Sequence, residues 1–199
     1  MTKVKIAIQG ELGAYSHIAV ENLFKNVEIK NCSTFEETFK QAYNDTSYRI
    51  VIPIENSLAG RVADIHYLLP KYKLQIHGEY FLKVEHNLLC KPEANLNDIK
   101  FVRSHAQAIG QCQNIINKKK IKTIISADTA GSAKELAEGD DKSIAAIASN
   151  LSAKIYKLKI LEKNIEDEKG NVTRFLIMGK NIEQPEFTNN KKFITSCIF

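Results

Sequence analysis

The stretch Asn171–Gly179 reads NVTRFLIMG, in which a hydroxyl and a guanidinium, Thr173 and Arg174, stand at the mouth of an apolar run. Four more polar groups follow runs that predict strands. GELGAYS (10–16) is a Gly-rich turn opening a helix, and free N–H groups at Ala14, Tyr15 and Ser16 suit a carboxylate or phosphate. PIENSLAG (53–60) carries Glu55, Asn56 and Ser57. RSHAQAIGQC (103–112) carries Ser104 and His105, with Gln107 and Gln111 four apart on one helix face. SADTAGSAKEL (126–136) starts a helix at Asp128 or Thr129. Hydroxyls, amides, helix N-termini and one arginine fork suit the binding of a small dianion by hydrogen bonds. Each group also has a plain structural alternative: a tight turn, a helix cap or, for Arg174, a carboxylate partner within the protein.

Other chemistries find little support. No spacing forces a Ser-His-Asp triad, no acid pair suggests glycoside hydrolysis, and neither a Walker loop nor a full dinucleotide fingerprint is present. Cys32, Cys90, Cys112 and Cys197 are widely spaced, which predicts reduced core residues and no metal site.

The elements that must position these groups alternate. Strands are predicted at 4–10, 27–32 and 48–54, with helices at 13–25, after Ser33 and Glu36 as a capping box, and at 60–71, closed by Pro70. This βαβαβα order predicts a parallel sheet covered on both faces. LQIHGEYFLKVEHNLLC (74–90) is long and extended, as a segment crossing between lobes would be. A second alternating unit follows: strand 101–104, helix 106–119, strand 121–126, helix 128–139, strand 143–149 and helix 150–158, after which TRFLIMG returns to the hinge. The fold class expected is α/β, with two α/β lobes and a ligand cleft at the carboxyl ends of their strands. Lobe 1 comprises 1–78 with 166–182, lobe 2 comprises 79–165, and 183–199 is a linker with a further strand.

At 199 residues, 44% apolar and 26% charged, the composition is that of a soluble globular protein. No window approaches a membrane span and the start lacks a signal-peptide core, so a cytoplasmic protein with no membrane partner is expected. The net charge of +5 is spread out apart from KKKIK (118–122), a solvated helix end, so no nucleic acid is expected as partner. Only four of the 28 basic residues are arginines (Arg49, Arg61, Arg103, Arg174), which singles them out as places where a planar fork is wanted.

In order, GELGAYS, PIENSLAG, EYFLKVEHNLL, RSHAQAIGQC, AAIASNLSAKIYKL and NVTRFLIMG resemble motifs of the prephenate dehydratase family, from Val4 to about Lys180. The resemblance implies a fold like the type II periplasmic binding proteins and a cofactor-free reaction. Prephenate loses its ring carboxylate as CO2 and its 4-hydroxyl as water, giving phenylpyruvate for phenylalanine synthesis. It implies Thr173 as the catalytic hydroxyl assisting departure of the 4-hydroxyl, with Asn56 and Gln111 as active-site amides. Arg174, Phe175, Glu55, Ser57, Ser104, His105, Ala14, Tyr15, Ser16 and Thr129 fall on substrate-binding motif positions. It further implies a homodimer and, in KKFITSCIF, the first strand of an ACT-type regulatory domain. GAYS and DTAG look more like the arogenate dehydratases, which give phenylalanine directly, so that substrate stays open. The rival from another class is a two-lobed binding protein without catalysis.

Overall fold

The structure, a computed structural model, describes residues 3–180. The expected linker and strand at 183–199, with Cys197, lie outside the described residues. In the first unit β1 (Val4–Gln9), α1 (Tyr15–Leu23), β2 (Val27–Cys32), α2 (Phe35–Asn44), β3 (Tyr48–Asn56), β4 (Gly60–Arg61), α3 (Ala63–Tyr72) and β5 (Gln75–Lys83) follow one another. The second contains β6 (Asn87–Cys90), a short 3-10 turn at Leu96–Asp98, β7 (Phe101–His105), α4 (Ala106–Gly110), α5 (Gln113–Lys119), β8 (Lys122–Ser126), α6 (Thr129–Glu138), β9 (Ile144–Ala148), α7 (Asn150–Ile155) and β10 (Lys159–Glu162). Then β11 (Val172–Gly179) returns to the first sheet.

The first sheet has the order β2-β1-β3-β11-β5 with β4 on β3, and the second β10-β6-β9-β7-β8. Two α/β lobes are therefore present, as the alternation predicts. Neither sheet is wholly parallel: β11 runs antiparallel to both β3 and β5, and β6 antiparallel to β9 and β10. The returning and crossing strands cause this, because a chain that leaves a lobe and re-enters it has no crossover helix to restore direction.

Period-two alternation sends successive side chains to opposite faces. Ile50, Ile52, Leu176 and Met178 pack with Phe39 and Ile65 on one face, and Ile6, Ile8, Val51, Phe175 and Ile177 pack with Ala19 and Val20 on the other. Full burial of a side chain such as Phe175 stabilises by about 1.5–3 kcal/mol. Pro53 has no N–H for a ladder, yet lies in a central strand. It is accommodated beyond the Ala7↔Ile50 pairing with β1 and beside the register shift between β3 and β11.

Several boundaries differ from expectation. Thr34, not Ser33, caps α2, its hydroxyl accepting from Glu37 N, while Glu37 reaches back to Ser33 N and Oγ. Pro70 does not close α3, which continues to Tyr72 and ends with Lys73 in the left-handed region. The pairing of β5 with β11 extends to Lys83, so the crossing comes at 84–86 and lobe 1 ends later than residue 78. The helix expected over 150–158 ends at Ile155, and β10 at Lys159–Glu162 is a strand not predicted from the sequence. The helix expected over 106–119 is two: Asp167 accepts from Gln113 N (2.7 Å) and Asn114 N (3.0 Å), giving α5 its own N-terminal cap from 54 residues away. Among the described residues, no helix is long and apolar enough to cross a membrane.

Candidate active site

Between the lobes lies a cavity of about 740 Å³, lined by α1 from Ala14 to Ser16, by Asn56, Arg61, His86, His105, Gln107, Gln111, Asp128, Thr129, Thr173 and Phe175, and by the start of α3. Its centre is built on the β3–β11 pair, where Asn56 stands opposite Thr173. Asn56 is oriented by the turn that follows it: its Oδ1 accepts from Leu58 N (3.0 Å) and Ala59 N (2.8 Å). The Nδ2 must then supply both its hydrogens elsewhere, one to Asn171 Oδ1 (2.6 Å) and one to Thr173 Oγ1 (2.9 Å). Because Thr173 Oγ1 receives a hydrogen, its own O–H is free to donate into the cleft.

Asn171, 1% exposed, continues the chain by donating from Nδ2 to Gln111 Oε1 (2.9 Å), which also lies 2.9 Å from His86 Nε2. The break after α4 turns Gln111 to this position; a continuous helix would have left its backbone carbonyl inside the helix, whereas Asp167 N takes it at 2.7 Å. Asn171 and His86 are the residues sequence reasoning missed as site members. The N-x-T spacing, which puts 171 and 173 on one strand face, was a usable signal for Asn171. His86 lies within the extended segment 74–90 and the motif-like stretch EYFLKVEHNLL, which was a usable signal for it.

Four expected site residues do not line the cavity with their functional groups. Arg174 is held by the protein itself: Nε donates to Glu79 (2.7 Å), Nη2 lies 2.6 Å from Glu79 and Nη1 3.2 Å from Glu55. Its guanidinium also lies 5.8 Å from the Phe81 ring centroid. The structural alternative describes both Arg174 and Glu55. Ser57 clamps the entry of β11, donating to Gly170 O (2.8 Å) and accepting from Val172 N (2.9 Å). Ser104 is fully buried and donates to Ile147 O (2.7 Å), tying β7 to β9. Gly13, in the turn before α1, makes a latch between the lobes: its carbonyl accepts from Ser149 Oγ (2.6 Å) and Ser152 Oγ (3.0 Å).

The cavity's electrostatics are mild. Burial pushes the Tyr15 hydroxyl well above its usual range and pushes His86 down, against the Gln111 hydrogen bond and the nearby Glu166, so both are neutral donors or acceptors near pH 7. No side chain caps α1 or α3, which leaves the amides of Tyr15 and Ser16 and of Ala63 and Asp64 for a ligand or water, whereas Asp128 caps α6 through Gly131 N (2.6 Å). Arg61 lines the cavity, and of the remaining arginines Arg103 is paired with Glu135. Among the described residues, no group of three or more His, Cys, Asp or Glu is placed to hold a metal ion.

A two-lobed α/β chain with a central hydroxyl, a set of fixed amides and uncapped helix N-termini around one cavity belongs to the class of proteins with a ligand cleft between two lobes. The particular family follows from comparison. The profile of the prephenate dehydratase family matches residues 6–183, and the chain belongs to that family of dehydratases. It is 39% identical over 198 residues to arogenate dehydratase/prephenate dehydratase 2, chloroplastic, of Arabidopsis thaliana, covering 100% of this chain and 51% of that one. It is 39% identical over 175 residues to a bifunctional N-acyl-homoserine lactone acylase/prephenate dehydratase of Komagataeibacter europaeus, covering 88% and 62%. The prephenate dehydratase of Arthrobacter aurescens, solved in complex with L-Phe, superposes with a TM-score of 0.84 at 25% identity over 93% of this chain and 63% of that one. The chain thus spans about half the length of the first of these curated relatives.

Proposed function

We propose that the chain converts prephenate to phenylpyruvate, CO2 and water, with Thr173 as the donor to the departing 4-hydroxyl. The observation that carries this is the Asn56 Nδ2–Thr173 Oγ1 hydrogen bond, which occupies the hydroxyl as acceptor and leaves its hydrogen for the cleft. A threonine hydroxyl is a poor acid by its free pKa, so it acts as a positioned donor within a chain of amides. The C–CO2 bond breaks with its electron pair entering the ring, the C4–O bond breaks, and the hydroxide leaves as water after taking a proton. Aromatisation supplies the driving force, so holding and orienting the substrate is most of the enzyme's task.

The side-chain carboxylate is assigned to Arg61 and the uncapped start of α3, in place of Arg174, whose fork is already filled by two carboxylates. The ring carboxylate belongs in a less charged part of the cavity, since gripping it would oppose its loss.

Supplying prephenate and arogenate separately to the purified chain, and following phenylpyruvate and phenylalanine, tests this reading. Prephenate turnover is expected. Faster formation of phenylalanine from arogenate would make the chain an arogenate dehydratase, the second activity in the Arabidopsis relative's name. No turnover of either, with tight binding of another acid, would favour a binding protein. An acyl-homoserine lactone is a useful third substrate, given the name of the Komagataeibacter relative.

A further inference from the structure

We infer that His17 is a positioning residue for the docking of the two lobes: as a neutral ring with its hydrogen on Nε2 it holds the Gly13 peptide against α7, and its protonation releases that contact. The inference goes beyond the proposed reaction, and its deciding tests need no substrate.

The turn before α1 meets lobe 2 at three successive residues. Glu11 pairs with Lys134 of α6 (3.1 Å), Leu12 O accepts from Tyr156 Oη (2.9 Å), and Gly13 O accepts from Ser149 Oγ (2.6 Å) and Ser152 Oγ (3.0 Å) at the start of α7. The other side of Gly13 is held by the helix that follows. Ala14, at the N-cap position, has no side chain with which to cap. His17, in the first turn of α1, reaches back instead, and its Nδ1 accepts from Gly13 N at 3.0 Å. This is the returning arm of a capping box, displaced by one residue, with an imidazole in place of a carboxylate. One residue thus has its N–H fixed by lobe 1 and its carbonyl by lobe 2. Gly13 has no slack to trade one contact for the other: φ is +92°, and Ser152 Cα lies 2.8 Å from where a Cβ would be.

The tautomer follows from the donor. A backbone N–H cannot accept, so Nδ1 must present its lone pair and the neutral ring carries its hydrogen on Nε2, which faces Glu21 Oε1 at 3.4 Å. A second proton would sit on Nδ1, opposite the Gly13 N–H. Two donors would then meet in a buried place, a loss relieved only by moving the turn away from His17 and so from α7. Ala14, Tyr15 and Ser16 come next in the chain and line the cavity, so the same movement displaces the amides offered to a ligand. Burial holds the His17 pKa below its ordinary value, and Glu21, one turn further along α1, opposes this without prevailing. The strands beneath α1 pack Ile6, Ile8, Val51 and Leu82 against it, while Glu11, Lys134 and Tyr156 are the ionisable groups that docking brings to the turn.

Measurements on the whole chain decide the matter. Two-bond 1H–15N correlation spectra at about pH 8 read the tautomer of each of the five histidines, and His17→Asn assigns the His17 signal by its loss. The Nε2–H pattern is expected, and the Nδ1–H pattern would overturn the inference. Amide hydrogen exchange then reads the Gly13 N–H itself. Release exposes a ring with a pKa of about 6.5, so protonation can favour the open state by at most about thirtyfold at about pH 5. A fall of about tenfold in the wild-type Gly13 protection factor is expected between about pH 8 and about pH 5. His17→Asn places Oδ1 where Nδ1 stood and does not titrate, so its protection factor should stay level. Equal pH dependence in the two proteins, or none in either, would remove His17 from the latch. In a double-mutant cycle followed in urea, His17→Leu and Ser152→Ala both act on Gly13, so together they should raise the unfolding constant about fivefold less than the product of their separate effects. Additive effects, the result of a merely lost packing contact, would overturn the inference; should His17→Leu not fold, exchange in His17→Asn decides alone. In kinetics on prephenate, His17→Leu should raise KM about fivefold and His17→Asn should restore it. An unchanged KM in His17→Leu would overturn the link between latch and cavity. Absence of wild-type turnover would count against the proposed function and leave the exchange test intact.

Discussion

Thr173 and Arg174 are adjacent on β11 and stand opposite Asn56 and Glu55 in register, yet the two pairs live in different chemistry. On the cleft face, Thr173 is joined to Asn56, Asn171 and Gln111 by neutral hydrogen bonds, and Phe175 shares that face. On the other, Arg174 is locked between Glu55 and Glu79 over the Phe81 ring. One strand therefore carries the hydroxyl proposed as proton donor, held by groups that do not titrate near neutrality, next to an ionic brace across β3, β11 and β5. Neighbouring positions in a motif need not share a task, and alternation across a strand is the physical reason.

The largest separation between the two faces is expected in turnover. Thr173→Ala should lower kcat by about 10³-fold, within the range for a lost proton donor, and leave KM within a few-fold. Thr173→Ser keeps the hydroxyl and should retain far more. Steady-state kinetics on prephenate read both variants, and near-wild-type kcat in the alanine variant would place the donor elsewhere.

Next in size is the latch. Gly13 has φ +92°, and a Cβ there would lie 2.5 Å from Ser152 Oγ and 2.8 Å from its Cα. Gly13→Ala must therefore shift the loop off α7, at a cost of about 1–3 kcal/mol in strain and lost contacts. The expected outcome is a raised KM and a lowered Tm, with small-angle scattering showing a more open chain. A variant as compact and as active as the wild type would mean that closure does not depend on this contact.

Much of this arrangement could be read from the residues, because it rests on local signals. Alternating apolar runs located the strands of both lobes except β4 and β10, and strand ends located Asn56, His105, Thr129 and Thr173 at the cavity. What escaped were features fixed by groups far away in the chain. The break between α4 and α5 depends on a cap from Asp167, and the burial of Ser104 on the carbonyl of Ile147. Arg174 looked like a ligand for a dianion because its partners, Glu79 and Glu55, are 95 and 119 residues away. His86 lay inside the motif-like EYFLKVEHNLL, but its task was not legible, since a lone histidine in an extended segment acquires meaning only when Tyr15 and Gln111 arrive beside it.

The arginines allow the two faces to be separated by a paired substitution. Arg61→Met should raise KM for a dianionic substrate about tenfold, as loss of one charge-assisted contact would. Arg174→Met should leave KM nearly unchanged and instead lower stability by about 1 kcal/mol, because its ion pairs are partly exposed and screened. The stability difference should shrink in about 1 M salt, where the Debye length is short. The opposite pattern, a KM effect at Arg174 and none at Arg61, would return the dianion to Arg174.

The smallest effect concerns pH. On β5, His77 has no hydrogen-bond partner for Nε2 among the described residues, and burial, with Arg49 nearby, lowers its pKa to about 4. The folded protein thus keeps His77 neutral where the unfolded chain, with an ordinary pKa of about 6.5, protonates it. Stability linked to this group is complete above about pH 6.5 and is lost as pH falls through about 4, because below the higher value the unfolded state binds the additional proton. His77→Gln cannot protonate, so its Tm should fall less steeply than that of the wild type between those two values, by a few degrees at the acid end. The cleft chain gives no such expectation at Thr173, Asn56 or Asn171, which carry no titrating group. Parallel Tm curves for His77→Gln and wild type would show that His77 does not set this slope, which would then come from the other depressed histidines, His17 and His86, and at the acid end from the depressed carboxylates Glu36, Glu37, Asp45 and Asp141.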